Sequence, residues 1–104
     1  MPEQSADTVV VDASAAVEAL IGTPLGSAVR ARMRGCELHA PAHLDAEVLS
    51  ALGRLNRAGD LPAKSATTAL SELATAPIVR HHLAGLLAGA WAARERLRLV
   101  DALY

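Results

Sequence analysis

Three acidic residues lie within apolar stretches of the chain, whereas most of its other acids lie in polar surroundings. They are Asp12, Glu47 and Asp101. Carboxylates that converge without basic partners repel one another, and a hard divalent cation such as Mg²⁺ or Mn²⁺ relieves that repulsion because it prefers oxygen ligands. Such an ion can bind a phosphate oxygen and lower the pKa of a bound water for attack on a phosphodiester. If the three side chains meet in the fold, they form a candidate site for a hard divalent cation.

Each acid taken alone also has an ordinary structural explanation. Aspartate is a common residue at the N-cap of a helix, so Asp12 and Asp101 could each serve only as caps. Glu47 could pair with an arginine of its own helix, Arg54 or Arg57. The metal hypothesis therefore depends on all three carboxylates reaching the same place.

Predicted secondary structure positions the first two acids. The run Val9-Val10-Val11 predicts a strand buried on both faces, as in a parallel sheet. Asp12 then lies at the carboxyl end of this strand, where open α/β sheets bind their ligands. Glu47 follows Leu44 by three residues and precedes Ala51 by four, which places it beside the apolar stripe of a helix rather than on the solvated face.

Short strands alternate with helices along the rest of the chain, which predicts an α/β fold with a parallel sheet. The predicted strands are Thr8–Val11, Glu37–Ala40 and Ile78–His82. The predicted helices are Ser14–Ile21, Leu25–Arg34, Ala42–Ala58, Ala63–Ala74 and Leu83–Leu97, with a last helix starting at Asp101. Trp91 falls between Leu87 and Arg94 on the face of the Leu83–Leu97 helix, so we expect it in the core rather than at the surface as a platform for stacking bases.

The composition sets limits on size, charge and location. A chain of 104 residues is long enough for one domain with one core. Its formal net charge of −1 gives no overall attraction to nucleic acid, so such contacts need a local basic patch. The arginines that could line such a path are Arg30, Arg32, Arg34, Arg54 and Arg57, and a solvated helical surface explains them equally well. The polar start of the chain and the lack of an apolar run of roughly 20 residues predict a cytoplasmic protein.

The only cysteine, Cys36, excludes an internal disulfide and fits a reducing compartment. Together with His39 and His43 it forms a C-x2-H-x3-H pattern, and His81 and His82 follow further on. This spacing offers a zinc site as an alternative function. Against it, His39 lies in a predicted strand and His43 at a helix start, so the ligands need not converge.

Three stretches in succession resemble the motifs of a PIN domain. They are VVVDASAAV at 9–17, APAHLDAEVLSALGRL at 40–55 and LRLVDALY at 97–104. Within that family they are most similar to the VapC-type toxins of bacterial toxin–antitoxin pairs. The resemblance covers nearly the whole chain after Ala6.

The resemblance implies a fold, a site and partners. The fold would be a PIN-like three-layer α/β/α arrangement with a short parallel sheet flanked by helices. Asp12, Glu47 and Asp101 match the acidic positions that bind Mg²⁺ or Mn²⁺ and catalyse RNA cleavage, and Ser14 matches a supporting polar position. The RNA substrate would be a molecule such as tRNA or rRNA. A VapC-like chain is also expected to form a homodimer and to be neutralised by a cognate antitoxin, which lays a helix in a groove.

We expect residues 1–104 to form a single PIN-like domain, with residues 1–7 as a loose N-terminus. PIN domains usually continue the helix that starts at the position of Asp101 and then add a strand with a further acid, so the C-terminal strand or strands are expected to be missing here. That truncation motivates a second hypothesis, in which the chain is a non-catalytic module that binds an antitoxin or a homologue.

Overall fold

The fold is described by a computed structural model over residues 7–22, 24–98 and 101–104. Its centre is a parallel sheet of three strands in the order β1-β2-β3. The strands are β1 (Thr8–Val10), β2 (Glu37–Pro41) and β3 (Ile78–His81). In the register of this sheet Val10 pairs with His39 and Pro41 with His81. The prediction of an α/β fold with a parallel sheet is therefore confirmed.

Five α-helices and two short 3₁₀ turns accompany the sheet in the described part of the chain. The helices are α1 (Ala13–Ile21), α2 (Pro24–Met33), α3 (Leu44–Arg57), α4 (Ala63–Thr75) and α5 (Leu87–Ala92), and the 3₁₀ turns are Leu83–Leu86 and Asp101–Leu103. Gly22 ends α1 with φ 72°, a left-handed conformation that glycine adopts without steric cost. The first four helices start and end within two residues of their predicted limits.

The core lies between one face of the sheet and the helices α1, α3 and α4. The sheet contributes Val11 and Ala40, and α3 contributes a buried stripe of Leu44, Val48 and Leu52. These three α3 side chains are at most 1% exposed. Burying each of them stabilises the fold by about 1.5–3 kcal/mol. Because this stripe fixes the rotation of α3, it also fixes Glu47 at the edge of the core.

A bidentate ion pair attaches β3 to α3. Arg80 Nε donates to both carboxylate oxygens of Asp45, at 3.1 and 2.9 Å, and Nη2 donates to Oδ1 at 3.0 Å. The same Nη2 donates to the carbonyl of Leu73 at 2.8 Å, which also ties in the end of α4. The carboxylate of Asp45 is therefore paired with Arg80, whereas Glu47, two residues further on, does not contact this arginine.

The opposite face of the sheet is partly covered by the C-terminal segments. Leu86, Leu103 and Tyr104 share with Val10 and His39 the lining of a cavity of about 270 Å³ on this face. Helical segments thus lie on both faces of the sheet, as in the expected three-layer arrangement.

Two expectations about burial are wrong. Val10 was expected to be buried but is 53% exposed, because among the described residues β1 has a neighbouring strand on one side only and its outer face is incompletely covered. Trp91 was expected in the core and is 58% exposed.

The predicted helix Leu83–Leu97 is also wrong as a single element. The 3₁₀ turn of four residues is followed by the six-residue α5, and hydrogen-bonded turns continue from Ala93 to Leu97. Gly85, within the 3₁₀ turn, favours the break because glycine weakens a helix by about 1 kcal/mol relative to alanine.

Part of the predicted structure lies outside the described residues. This applies to the expected loose N-terminus apart from Asp7, and to Leu99 and Val100 of the third motif. Within the described ranges, none of the helices combines the length and the apolar character needed to cross a membrane.

Candidate active site

Asp12 lies between the end of β1 and the start of α1. Its extended backbone (φ −91°, ψ 169°) makes it the N-cap of α1, and its Oδ1 accepts a hydrogen bond from the N–H of Ala15 at 2.8 Å. Asp12 is thus a helix N-cap, as the structural explanation of this acid predicts. The cap also fixes the carboxylate in one orientation at the carboxyl end of the sheet, and the side chain still lines a pocket.

Glu47 lies in the first turn of α3 and contacts two other groups that the sequence did not pair with it. Tyr104 Oη donates a hydrogen bond to Oε1 at 2.5 Å, and His43 Nε2 lies 3.0 Å from the same oxygen. Glu47 therefore contacts Tyr104 and His43, and the alternative that it pairs with Arg54 or Arg57 is wrong. The carboxylate is 35% exposed, so it remains accessible from the pocket.

Asp101 begins the second 3₁₀ turn and completes the group of three acids. A pocket of about 210 Å³ has six lining residues, which are Asp12, Ala13, Ser14, Glu47, Asp101 and Tyr104. Residues from the start, the middle and the end of the chain thus meet at one place. All three predicted acids and the supporting Ser14 are among them.

The apolar sequence surroundings of these acids do not translate into burial. Asp12 and Asp101 are exposed, and no charged side chain of the described residues is buried. The acids instead line an open pocket at the surface, where water reaches them. Their convergence, rather than their burial, is the feature that sets them apart.

The donor set of the pocket fits a hard divalent cation, because it consists of carboxylate and hydroxyl oxygens. As the side chains lie, no three acids, histidines or cysteines of the described residues are close enough to bind one ion directly. Mg²⁺ is commonly held by one or two carboxylates and completes its coordination with water. The pocket therefore suits an ion that one or two of its carboxylates bind directly and the others reach through water.

Tyr104 is the functional candidate that the sequence reasoning missed. Burial raises the pKa of its hydroxyl, and the hydrogen bond and charge of Glu47, together with the charges of Asp12 and Asp101, raise that pKa further. The hydroxyl thus keeps its proton at neutral pH and stays a donor to Glu47. A sequence signal was present, since Tyr104 is one of only two aromatic residues and follows Asp101 by three positions.

His43 packs behind this pair. Its ring lies 4.9 Å from the ring of Tyr104, at an interplanar angle of 57°. Both ring nitrogens are buried without a well-oriented hydrogen bond from any described residue, so the 3.0 Å approach to Glu47 is a close electrostatic contact rather than a directed bond. The i,i+4 spacing of His43 and Glu47 on a helix could have indicated this contact.

The residues of the zinc pattern do not assemble. The thiol of Cys36 donates to a backbone carbonyl of α2 at 3.4 Å. His39 Nδ1 lies 2.7 Å from His81 Nε2, on the sheet, whereas His43 packs against the acidic pocket. Among the described residues no group of three potential ligands is placed to bind a metal, so the zinc alternative is wrong for this arrangement.

A groove between α1 and α3 leads away from the acidic pocket. Its volume is about 620 Å³, and Ala13, Ser14 and Glu47 line both the groove and the pocket. Most of its other lining residues are apolar, and Arg54 lies at its side.

Comparison with known proteins identifies the family. The PIN domain family model matches residues 9–104, and the chain belongs to this family. It is 56% identical over 104 residues to ribonuclease VapC3 of Mycobacterium tuberculosis (strain ATCC 25618 / H37Rv), an alignment that covers 99% of this chain and 76% of the relative. The chain thus also resembles the VapC-type members of the family, as the three motifs indicated.

Two further VapC proteins of the same strain are similar over different extents. Ribonuclease VapC9 is 34% identical over 96 residues, which cover 92% of this chain and 73% of that protein. Ribonuclease VapC12 is 57% identical over 44 residues, or 42% of this chain and 34% of that protein.

Proposed function

We propose that this protein is a metal-dependent endoribonuclease, the toxin of a type II toxin–antitoxin pair. The observation that carries the proposal is the convergence of Asp12, Glu47 and Asp101 on one pocket. The names of the VapC relatives, all called ribonucleases, support RNA as the substrate.

In this proposal the three carboxylates would hold Mg²⁺ or Mn²⁺, one or two of them directly and the others through water, and Ser14 would support them. A bound ion would supply the Lewis acidity that lowers the pKa of a water for attack on a phosphodiester of the RNA. Asp12 is held in place by its cap bond to Ala15, and Glu47 by the Tyr104 hydroxyl. Both bonds restrict the side chains to the pocket before substrate arrives, which lowers the cost of ordering them.

The proposed partners are a cognate antitoxin and a second copy of the chain, in the cytoplasm. The groove between α1 and α3 suits a helix of an antitoxin, because it is mainly apolar and opens onto the acidic pocket. A basic side chain on that helix would neutralise the acids and exclude the metal.

The test compares wild type with Asp12→Asn on a structured RNA such as tRNA, with Mg²⁺ or Mn²⁺. Asparagine caps a helix as well as aspartate does, so the fold is expected to survive. We expect cleavage to fall by at least about 100-fold, roughly 2.7 kcal/mol in transition-state stabilisation. The matched control is Asp7→Asn, an exposed acid just before β1, which should cleave like wild type.

Equal cleavage by wild type and Asp12→Asn would defeat the catalytic part of the proposal. Cleavage that persists undiminished after chelation of divalent ions would defeat the metal part.

A second candidate is a non-catalytic module that binds an antitoxin or a homologue. It is favoured by the fact that no three acids of the described residues are positioned around one ion, while Tyr104 occupies Glu47. Titration with Mn²⁺ separates the two candidates. A folded chain that binds no Mn²⁺ and cleaves no RNA, yet binds an antitoxin, would support the module.

A further inference from the structure

Trp91 is the only tryptophan of the chain, and it lies at the surface at the end of α5. Its side chain is 58% exposed. The guanidinium of Arg94 lies over the indole ring, 4.6 Å from the ring centre, and its Nη1 donates to the Trp91 carbonyl at 3.1 Å. An exposed indole with a fixed cation on it is a flat surface suited to stacking with another planar group.

Basic charge is concentrated directly after this tryptophan. Arg94, Arg96 and Arg98 lie within five residues, with Glu95 as the one acid among them, and all are exposed. No ion pair between described residues involves any of the three arginines. The segment 94–98 therefore carries a charge of about +2 in a chain whose formal net charge is −1.

The segment is ordered by backbone bonds and borders the acidic pocket. The N–H of Leu97 donates to the carbonyl of Ala93 at 3.0 Å, and the N–H of Ala102 donates to the carbonyl of Arg98 at 2.9 Å. The second bond ties Arg98 to the turn that carries Asp101, and α5 packs against that turn. Since three residues span at most about 11 Å, Arg98 lies close to the acidic pocket.

We propose that Trp91, Arg94, Arg96 and Arg98 form a binding surface for a single-stranded part of the RNA. A base stacks on the Trp91–Arg94 pair, and neighbouring phosphates contact Arg96 and Arg98. This inference rests on the proposed ribonuclease function and adds where the substrate binds.

The charge distribution supplies the physical reason. The acidic pocket repels a polyanion, and the net charge of the whole chain gives no attraction, so a basic strip beside the pocket is what holds RNA there. A second copy of the chain is a poorer occupant, because two-fold symmetry would place the same three arginines against each other. Single strands also offer the exposed base faces that an indole can stack on, unlike duplexes.

The experiment uses Trp91 as its own reporter. The full chain is titrated with a single-stranded oligoribonucleotide in EDTA at several salt concentrations, and tryptophan emission is recorded. We expect saturable quenching, with an affinity that falls as salt rises. Arg94→Ala should weaken binding by about tenfold through the lost stacking contact. Arg96→Ala, which removes one phosphate contact, should weaken binding and lower the salt slope by about 0.7.

Lys64→Ala is the matched control, since it removes one positive charge at another exposed site. Lys64 lies in the first turn of α4 and lines neither the acidic pocket nor the groove between α1 and α3. Its affinity and salt slope should stay those of wild type. In the cleavage assay, Trp91→Ala should raise KM with little change in kcat, and Trp91→Phe should restore most of the loss.

The outcomes separate this inference from the function on which it rests. If the protein cleaves RNA but its emission does not respond and Arg94→Ala binds normally, the inference is wrong and the proposed function stands. If wild type neither binds nor cleaves RNA, both are wrong. If emission changes with protein concentration alone, together with a concentration-dependent sedimentation coefficient, the surface is an interface between copies and the inference is overturned.

Discussion

Two acids on α3, only two residues apart, should respond in opposite ways to the same chemical change. Asp45 makes a bidentate pair with Arg80, whereas Glu47 lines the acidic pocket with Asp12 and Asp101. Replacing each carboxylate by its amide keeps the shape of the side chain and removes one negative charge. The pair of variants therefore separates a structural acid from a proposed catalytic one.

For Asp45→Asn the loss should be in stability. Hydrogen bonds to a charged group contribute about 1.5–3 kcal/mol when shielded from water. Here the side chains are 47% exposed for Asp45 and 25% for Arg80, so water replaces part of the interaction. We expect a loss of about 1 kcal/mol in the free energy of unfolding, or roughly 4–8 °C in Tm for a domain of this size. Cleavage per folded molecule should not change.

For Glu47→Gln the loss should be in activity. The Tyr104 hydroxyl can still donate to the amide oxygen of the new side chain, and removal of one of three like charges relieves repulsion. We expect the free energy of unfolding to stay within about 0.5 kcal/mol of wild type. Cleavage should fall by at least about 100-fold, since the amide is a much poorer ligand for a hard cation.

Both variants are measured by thermal unfolding without metal and by RNA cleavage with Mn²⁺ at a temperature where each is folded. The reasoning is refuted if Glu47→Gln cleaves like wild type. It is equally refuted if Asp45→Asn loses activity while its Tm is unchanged.

Three further predictions concern the core, the tyrosine and the metal. Leu52→Ala should cost about 2–5 kcal/mol in chemical unfolding because Leu52 is 1% exposed, whereas Leu49→Ala should cost below about 0.5 kcal/mol because Leu49 is 56% exposed. The pKa of Tyr104 is raised in the folded state, so its contribution to stability is present below about pH 10 and is lost as the pH rises above that value. The free energy of unfolding of wild type should therefore fall more steeply above about pH 10 than that of Tyr104→Phe. Parallel curves for the two proteins would contradict the assigned burial of the hydroxyl. Saturating Mn²⁺ should raise the Tm of wild type, since a Mn²⁺ concentration of 100 times Kd adds about 2.7 kcal/mol to the free energy of unfolding. It should have little effect on the Tm of Asp12→Asn. Equal shifts of Tm in the two proteins would place the ion elsewhere.

The elements that hold two of the acids could be predicted from local sequence signals. Gly22 marks the end of α1, and the apolar spacing of α3 indicates which face of that helix is buried. Both signals act over a few residues, so they can be read from the sequence. Asp12 followed from its position after a run of valines. The sequence therefore placed Asp12 and Glu47 on the right elements.

The rest depends on contacts between distant parts of the chain. Tyr104 bonds to Glu47 across 57 residues, and no periodicity reports such a contact. The apolar spacing around Trp91 wrongly predicts burial, because glycines weaken the helix and the indole stays 58% exposed beneath the guanidinium of Arg94. Val10 was misassigned because a run of valines does not tell whether its strand is central in a sheet.

The position of β1 has a consequence for handling the purified chain. The N–H of Val11 bonds to the carbonyl of His39 in β2, so the N–H of the preceding Val10 is directed to the other side, where none of the described strands lies. An extended segment of any sequence could add there through main-chain bonds alone, and the exposed valine side chain would favour the addition. Aggregation at high concentration should accordingly begin as intermolecular strand pairing at this edge.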